Sequence, residues 1–145
     1  MKIKNIPFVL ALLPLLIICV SAALPKSGQP TILQVTRSSA SAANNFPPLT
    51  REVKDANAVQ QLYGAIHALP KARTGIRYCP IDVGLIYHIY FSNGTTLLEQ
   101  MDMDTGGCQG VRLSKQDVRQ PTEAFLSLFA QTIGVPRSTL APIPY

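Results

Sequence analysis

The segment CPIDVGLIYHIYFSNGTTLLEQMDMDTGGC, Cys79 to Cys108, carries a cysteine at each end and Asn93-Gly94 at its centre. Asn-Gly favours a tight hairpin because both residues tolerate positive φ. GLIYHIYF (84–91) before it is rich in β-formers, and TTLLEQMDM (95–103) reads as the return strand. Antiparallel flanks of equal length meet at the open end of a hairpin. Cys79 and Cys108 are therefore expected to form a disulfide across that mouth, and not a reactive thiol served by His67 or His88.

The register has two forms. A two-residue Asn93-Gly94 turn opposes His88 to Glu99 and sets Met101 and Met103 on the His88 face. A three-residue turn with a bulge moves both methionines to the face of Tyr87, Ile89 and Phe91. The bulged form is favoured, because it buries more apolar surface with fewer charges.

The chain has 145 residues, 13 Lys and Arg against 8 Asp and Glu, and 3 cysteines. Residues 1–23 read as an export signal: Lys2 and Lys4, an apolar run from Ile6 to Val20, then small residues for cleavage after Ala22 or Ala23. That run is short of the ~20 apolar residues of a spanning helix and holds Pro14, which disfavours an uncleaved anchor. LIIC at 16–19 offers the alternative of a lipid-anchored Cys19, although Ile18 stands where a small residue is usual. Cleavage removes Lys2 and Lys4, and the mild positive balance left does not point to nucleic acid. Cys79 and Cys108, the pair remaining in an exported chain, are most simply one disulfide.

The remainder divides into a leader with a candidate edge strand (TILQVTR, 31–37) and loop at 24–50, a compact α+β domain at 51–140, and a tail at 141–145. REVK (51–54) suits a second short strand. Asp55 suits a helix N-cap, with Val59, Leu62, Tyr63, Ile66 and Leu69 on one helical face before Pro70. CQGVRL (108–113) suits a third strand after the DTGG turn. Pro121 is expected at the first helical position of a second helix, with Phe125, Leu128, Phe129 and Ile133 as its stripe and Gly134 as its C-cap. The fold class expected is α+β: a small antiparallel sheet with a stapled central hairpin and two amphipathic helices on one face.

Catalytic signatures are sparse. His67 and His88 lack metal-ligand spacing. Asp102-x-Asp104 opens like a calcium loop, but no third acid or closing Glu follows. Glu99 and Asp102 have opposite strand parity, so they point to opposite faces. No nucleophile elbow or Ser/His/Asp order stands out, and no catalytic residue, metal or cofactor is expected. The loop PKARTGIRYCP (70–80) is the candidate binding loop, through Lys71, Arg73 and Arg77.

Asp55…Val59…Leu62-Tyr63…Ile66…Leu69-Pro70, Tyr78-Cys79-Pro80-x-Asp82-x-Gly84, Tyr87-x-Ile89-x-Phe91 and Gly107-Cys108, before a helix ending in Gly134-Val135-Pro136, form a connected pattern. In these residues the chain resembles a group of small, uncharacterised secreted bacterial proteins. The resemblance implies export, a disulfide and a compact α+β domain, and brings no activity, ligand or site residue with it. The leading functional expectation is an exported, non-enzymatic binding module at or outside the cell envelope. Its partner would be an envelope component or extracellular protein, with membrane contact only through an uncleaved signal or lipid anchor. The alternatives are a protease or hydrolase inhibitor using loop 71–78, and a small hydrolase in which His67 or His88 meets an acid and a hydroxyl.

Overall fold

The computed structural model describes residues 28–39, 46–73, 79 and 84–140. The signal segment with Cys19, Arg77 of the basic loop and the 141–145 tail lie outside the described residues. The fold is α+β, with strands β1 (Ile32–Ser39), β2 (Leu49–Val53), β3 (Leu85–Asn93), β4 (Thr96–Asp104), β5 (Gly110–Arg112) and β6 (Val118–Arg119), and helices α1 (Ala56–His67) and α2 (Glu123–Ile133). The six strands form one antiparallel sheet in the order β2-β1-β3-β4-β5-β6.

Alternation along the strands decides which face is covered. Leu33 and Val35 of β1, Leu85, Tyr87, Ile89 and Phe91 of β3, Met101 and Met103 of β4 and Val111 of β5 all point to one side and are buried. They meet Val59, Leu62 and Ile66 of α1 and Phe125, Phe129 and Ile133 of α2 in a single core. Burial of that apolar set is the main drive for the fold, at roughly 25 cal/mol for each Å² removed from water. Among the described residues no helix covers the other face.

The central hairpin has the expected parity, with Tyr87 opposite Met103 and Ile89 opposite Met101. Its turn, however, has two residues and not the three of the favoured form, and lies one residue later than the Asn93-Gly94 centre. Asn93 pairs with Thr96, so Gly94 and Thr95 are the turn residues, and the register shifts between Phe91 and Ser92, leaving Leu98 as the extra residue. Gly94 takes φ +56°, and no described non-glycine residue has positive φ. A turn that needs the left-handed region only at its first central position puts glycine there, and Asn93 stays in the strand. A disulfide joins Cys79 to Cys108 with their Cα atoms 4.8 Å apart.

Three other expectations are corrected. β1 pairs on both sides, with β2 and with β3, so it is an interior strand and not the edge of a leader. Pairing on both sides satisfies its backbone N–H and C=O groups. The second strand begins at Leu49, where a buried side chain extends REVK backwards. Pro121 precedes the N-cap of α2: Thr122 caps, its Oγ1 accepting from the Phe125 amide at 3.2 Å, a bond that proline cannot make. Asp55 caps α1 as expected, accepting from the amides of Asn57 and Ala58 at 3.0 and 3.3 Å. Gly134 closes α2 at φ +68°.

β6, two residues long, was not legible, yet it ties α1 to the sheet. Arg119 donates to Asp117 at 2.6 and 2.9 Å and to the carbonyls of Leu69 and His67 at 2.9 and 3.3 Å, so its guanidinium covers the C-terminal carbonyls of the helix. The hydrogen bond from Arg119 holds the Asp117 carboxyl below the usual carboxylate range. The bond from Arg137 does the same for Glu123. A carboxyl depressed in the folded state stabilises the fold above its unfolded value and loses that contribution as pH falls through the folded one. Arg119→Ala is therefore expected to lower Tm at neutral pH, with the gap to wild type narrowing below about pH 4. Thermal melts across that range check it.

Candidate functional site

The uncovered sheet face collects side chains that the core excludes. Running across the strands it presents Ser38 and Thr36 of β1, Ile86, His88 and Tyr90 of β3, Asp102 and Asp104 of β4 and Arg112 of β5, as the register requires. His88 lies opposite Thr36 on one side and Asp102 on the other, with Ser38 two residues along from Thr36. The imidazole bridges the two strands that flank β3: Nδ1 is 2.8 Å from Asp102 Oδ1, and Nε2 is 3.0 Å from Ser38 Oγ. An ionised carboxylate only accepts, so it places the proton of neutral His88 on Nδ1. Nε2 then holds a lone pair and accepts from the Ser38 hydroxyl. A cavity of about 90 Å³ adjoins on the Asp102 side, between Ile86, Asp104, Gly110 and Arg112. Asp104 belongs to turn chemistry, its Oδ1 accepting from the Gly106 amide at 2.9 Å.

Toward the hairpin tip the same face forms an open trough of about 600 Å³. Ile32, Tyr90 and Leu97 supply apolar surface, and Gln34, Glu52, Lys54, Ser92 and Thr95 supply polar groups. The bulge has a direct consequence here, since Leu97 pairs with Ser92 and stands 56% exposed at the rim. The polar wall is held in place internally. Glu52 accepts from Gln34 Nε2 at 3.0 Å and pairs with Lys54 at 2.7 Å. The Lys54 hydrogen bond, with help from Gln34, holds the Glu52 carboxyl below its ordinary range, so it is an ionised acceptor near neutrality.

The second histidine has a different setting. His67 Nε2 is 3.0 Å from Glu99 Oε2 at the end of α1, and its ring lies edge-on to Tyr63 at 4.5 Å. Tyr63 also packs edge-on to Phe91 at 5.0 Å. Burial raises the Tyr63 pKa, and the nearby Glu99 carboxylate raises it further. Glu99 and Asp102 do lie on opposite faces, one with each histidine.

Of the sequence-derived site residues, Cys79 and Cys108 are joined as expected. Lys71 is exposed and bridges to Arg119 of β6, which fixes the start of the basic loop, and Arg73 is exposed. The loop thus begins beside β6, three strands away from β3 and His88. Neither histidine is isolated. Ser38 was missed, and so was its junction with His88 and Asp102, because the β1–β3 pairing that creates it spans residues 50 apart. No helix among the described residues is long and apolar enough to cross a membrane. Comparison with protein-family models, with curated proteins and with solved structures gave no match.

Proposed function

We propose that the chain is an exported binding domain whose contact surface is the uncovered sheet face, and that it takes a cell-wall oligosaccharide in the trough at the hairpin tip. The observation that carries this reading is the composition of the trough: Tyr90 flanked by Ile32 and Leu97, with Gln34, Glu52 and Lys54 along one wall. A sugar ring presents apolar C–H faces and a rim of hydroxyls that both donate and accept. Tyr90 and its aliphatic neighbours suit the faces. The Glu52 carboxylate, the Gln34 amide and the Lys54 ammonium suit the rim, since together they offer acceptors and donors already oriented by their mutual bonds. Sites of this kind are largely pre-formed, so little side-chain order has to be gained on binding. Export is supported by the disulfide and by the signal-like first residues.

The test is co-sedimentation of the disulfide-intact domain with insoluble peptidoglycan sacculi, chitin and xylan. Wild type is expected in the pellet with at least one of them. Tyr90→Ala is expected to bind at least about 10-fold more weakly, the loss typical of a central aromatic contact. Wild type remaining in the supernatant with all of them, or Tyr90→Ala binding equally well, overturns the reading.

A further inference from the structure

We propose that Ser38 is a nucleophile, with His88 as its general base and Asp102 as the residue that positions His88, and that this centre transfers acyl groups from esters to water. It lies on the same face as the trough but shares no residue with it, so it stands apart from the oligosaccharide reading.

The geometry meets the requirements of an activated hydroxyl. Ser38 is exposed, and its Oγ lies 3.0 Å from His88 Nε2. His88 Nδ1 lies 2.8 Å from a carboxylate oxygen that fixes the tautomer and supports the imidazolium formed during proton transfer. Three neighbouring strands hold the three groups, which favours a fixed arrangement over a chance surface contact. His88 sits on β3 between β1 and β4, so each bond crosses one strand gap.

The reaction balances with water as the only co-reactant. Ser38 Oγ bonds to the ester carbonyl carbon while its proton passes to His88 Nε2. The bond to the leaving oxygen then breaks, and that oxygen takes the proton from Nε2 and departs as an alcohol. Water next attacks the acyl-serine and gives its proton to Nε2. The acid leaves as Ser38 Oγ recovers the proton. Ile86 is the cross-strand neighbour of Ser38 on the same face, so it offers apolar surface beside the hydroxyl against which an acyl chain can lie.

The probe is p-nitrophenyl acetate, with nitrophenol release followed by absorbance and the labelled site found by peptide mass mapping. Acetylation is expected on Ser38 and absent from Ser38→Ala. His88→Gln is expected to slow acetylation of Ser38 by about 100-fold or more, the usual contribution of a general base. Asp102→Asn is expected to slow it as well, with Asp102→Glu restoring part of the rate because a carboxylate again orients the ring. Absence of acetyl-Ser38 in wild type, or acetylation of Ser38 at an unchanged rate in His88→Gln, overturns the proposal.

Discussion

Tyr87→Ala is expected to destabilise the domain by about 3–5 kcal/mol, the range for removing a large aromatic from a well-packed core. Tyr87 is fully buried in the middle strand and meets Phe129 of α2 edge-on, with centroids 5.6 Å apart. Its removal therefore opens a cavity at the junction of sheet and helix. Its hydroxyl does further work, donating to the Thr139 carbonyl at 3.3 Å and accepting from Arg37 at 3.4 Å. Arg37 continues the link, donating to the Pro47 carbonyl and lying over the Phe46 ring. Burial raises the Tyr87 pKa against the opposing pull of Arg37, so the phenol remains protonated and able to donate. Tyr87→Phe keeps the ring and removes only the hydroxyl, at about 1 kcal/mol for the lost bond. Equilibrium unfolding in urea should resolve the two variants. A domain of this size is stable by only about 5–15 kcal/mol, so the alanine variant stands close to unfolding.

Cleaving the Cys79–Cys108 bridge should cost about 3.5 kcal/mol. The cysteines are 29 residues apart, and a loop of that length gains about that much unfolded-state freedom when opened, by the chain-entropy model. The double variant Cys79→Ser/Cys108→Ser should show the loss as a lower urea midpoint. Reduction of wild type should reproduce it, while leaving the double variant unchanged. The bridge also ties the segment entering β3 to the one leaving β4, so its loss should loosen the mouth of the hairpin before the helices. Hydrogen exchange is expected to quicken first near Leu85 and Thr105, whose amide bonds the Leu85 carbonyl.

Local chemistry made much of this fold legible. The Asp55 cap, the Val59, Leu62 and Ile66 stripe and the Gly134 stop act over one or two helical turns, so the residues alone reveal them. Hairpin parity was readable because only one of the two parities buries Met101 and Met103 with Tyr87 and Ile89. The turn centre was not, since Asn93-Gly94 and Gly94-Thr95 both satisfy the chain and the bulge at Leu98 absorbs the difference. β1 read as an edge because TILQVTR alternates like any half-covered strand. Its two neighbours, β2 and β3, are set by pairing and not by its own residues. The candidate site was least legible for the same reason. Ser38, His88 and Asp102 share no local motif, and the trough needs β1, β2, β3 and the bulged tip together.

Both surface proposals depend on the bulged register, which puts Asp102 beside His88 and turns Glu99 to the helix side. A NOESY spectrum of isotope-labelled, disulfide-intact protein tests it most directly. Side-chain contacts are expected between Tyr87 and Met103 and between Ile89 and Met101, with His88 near Asp102 and Ser38. Contacts of His88 with Glu99 and Met101 would instead place the methionines on the open face and contradict the fold and both sites together.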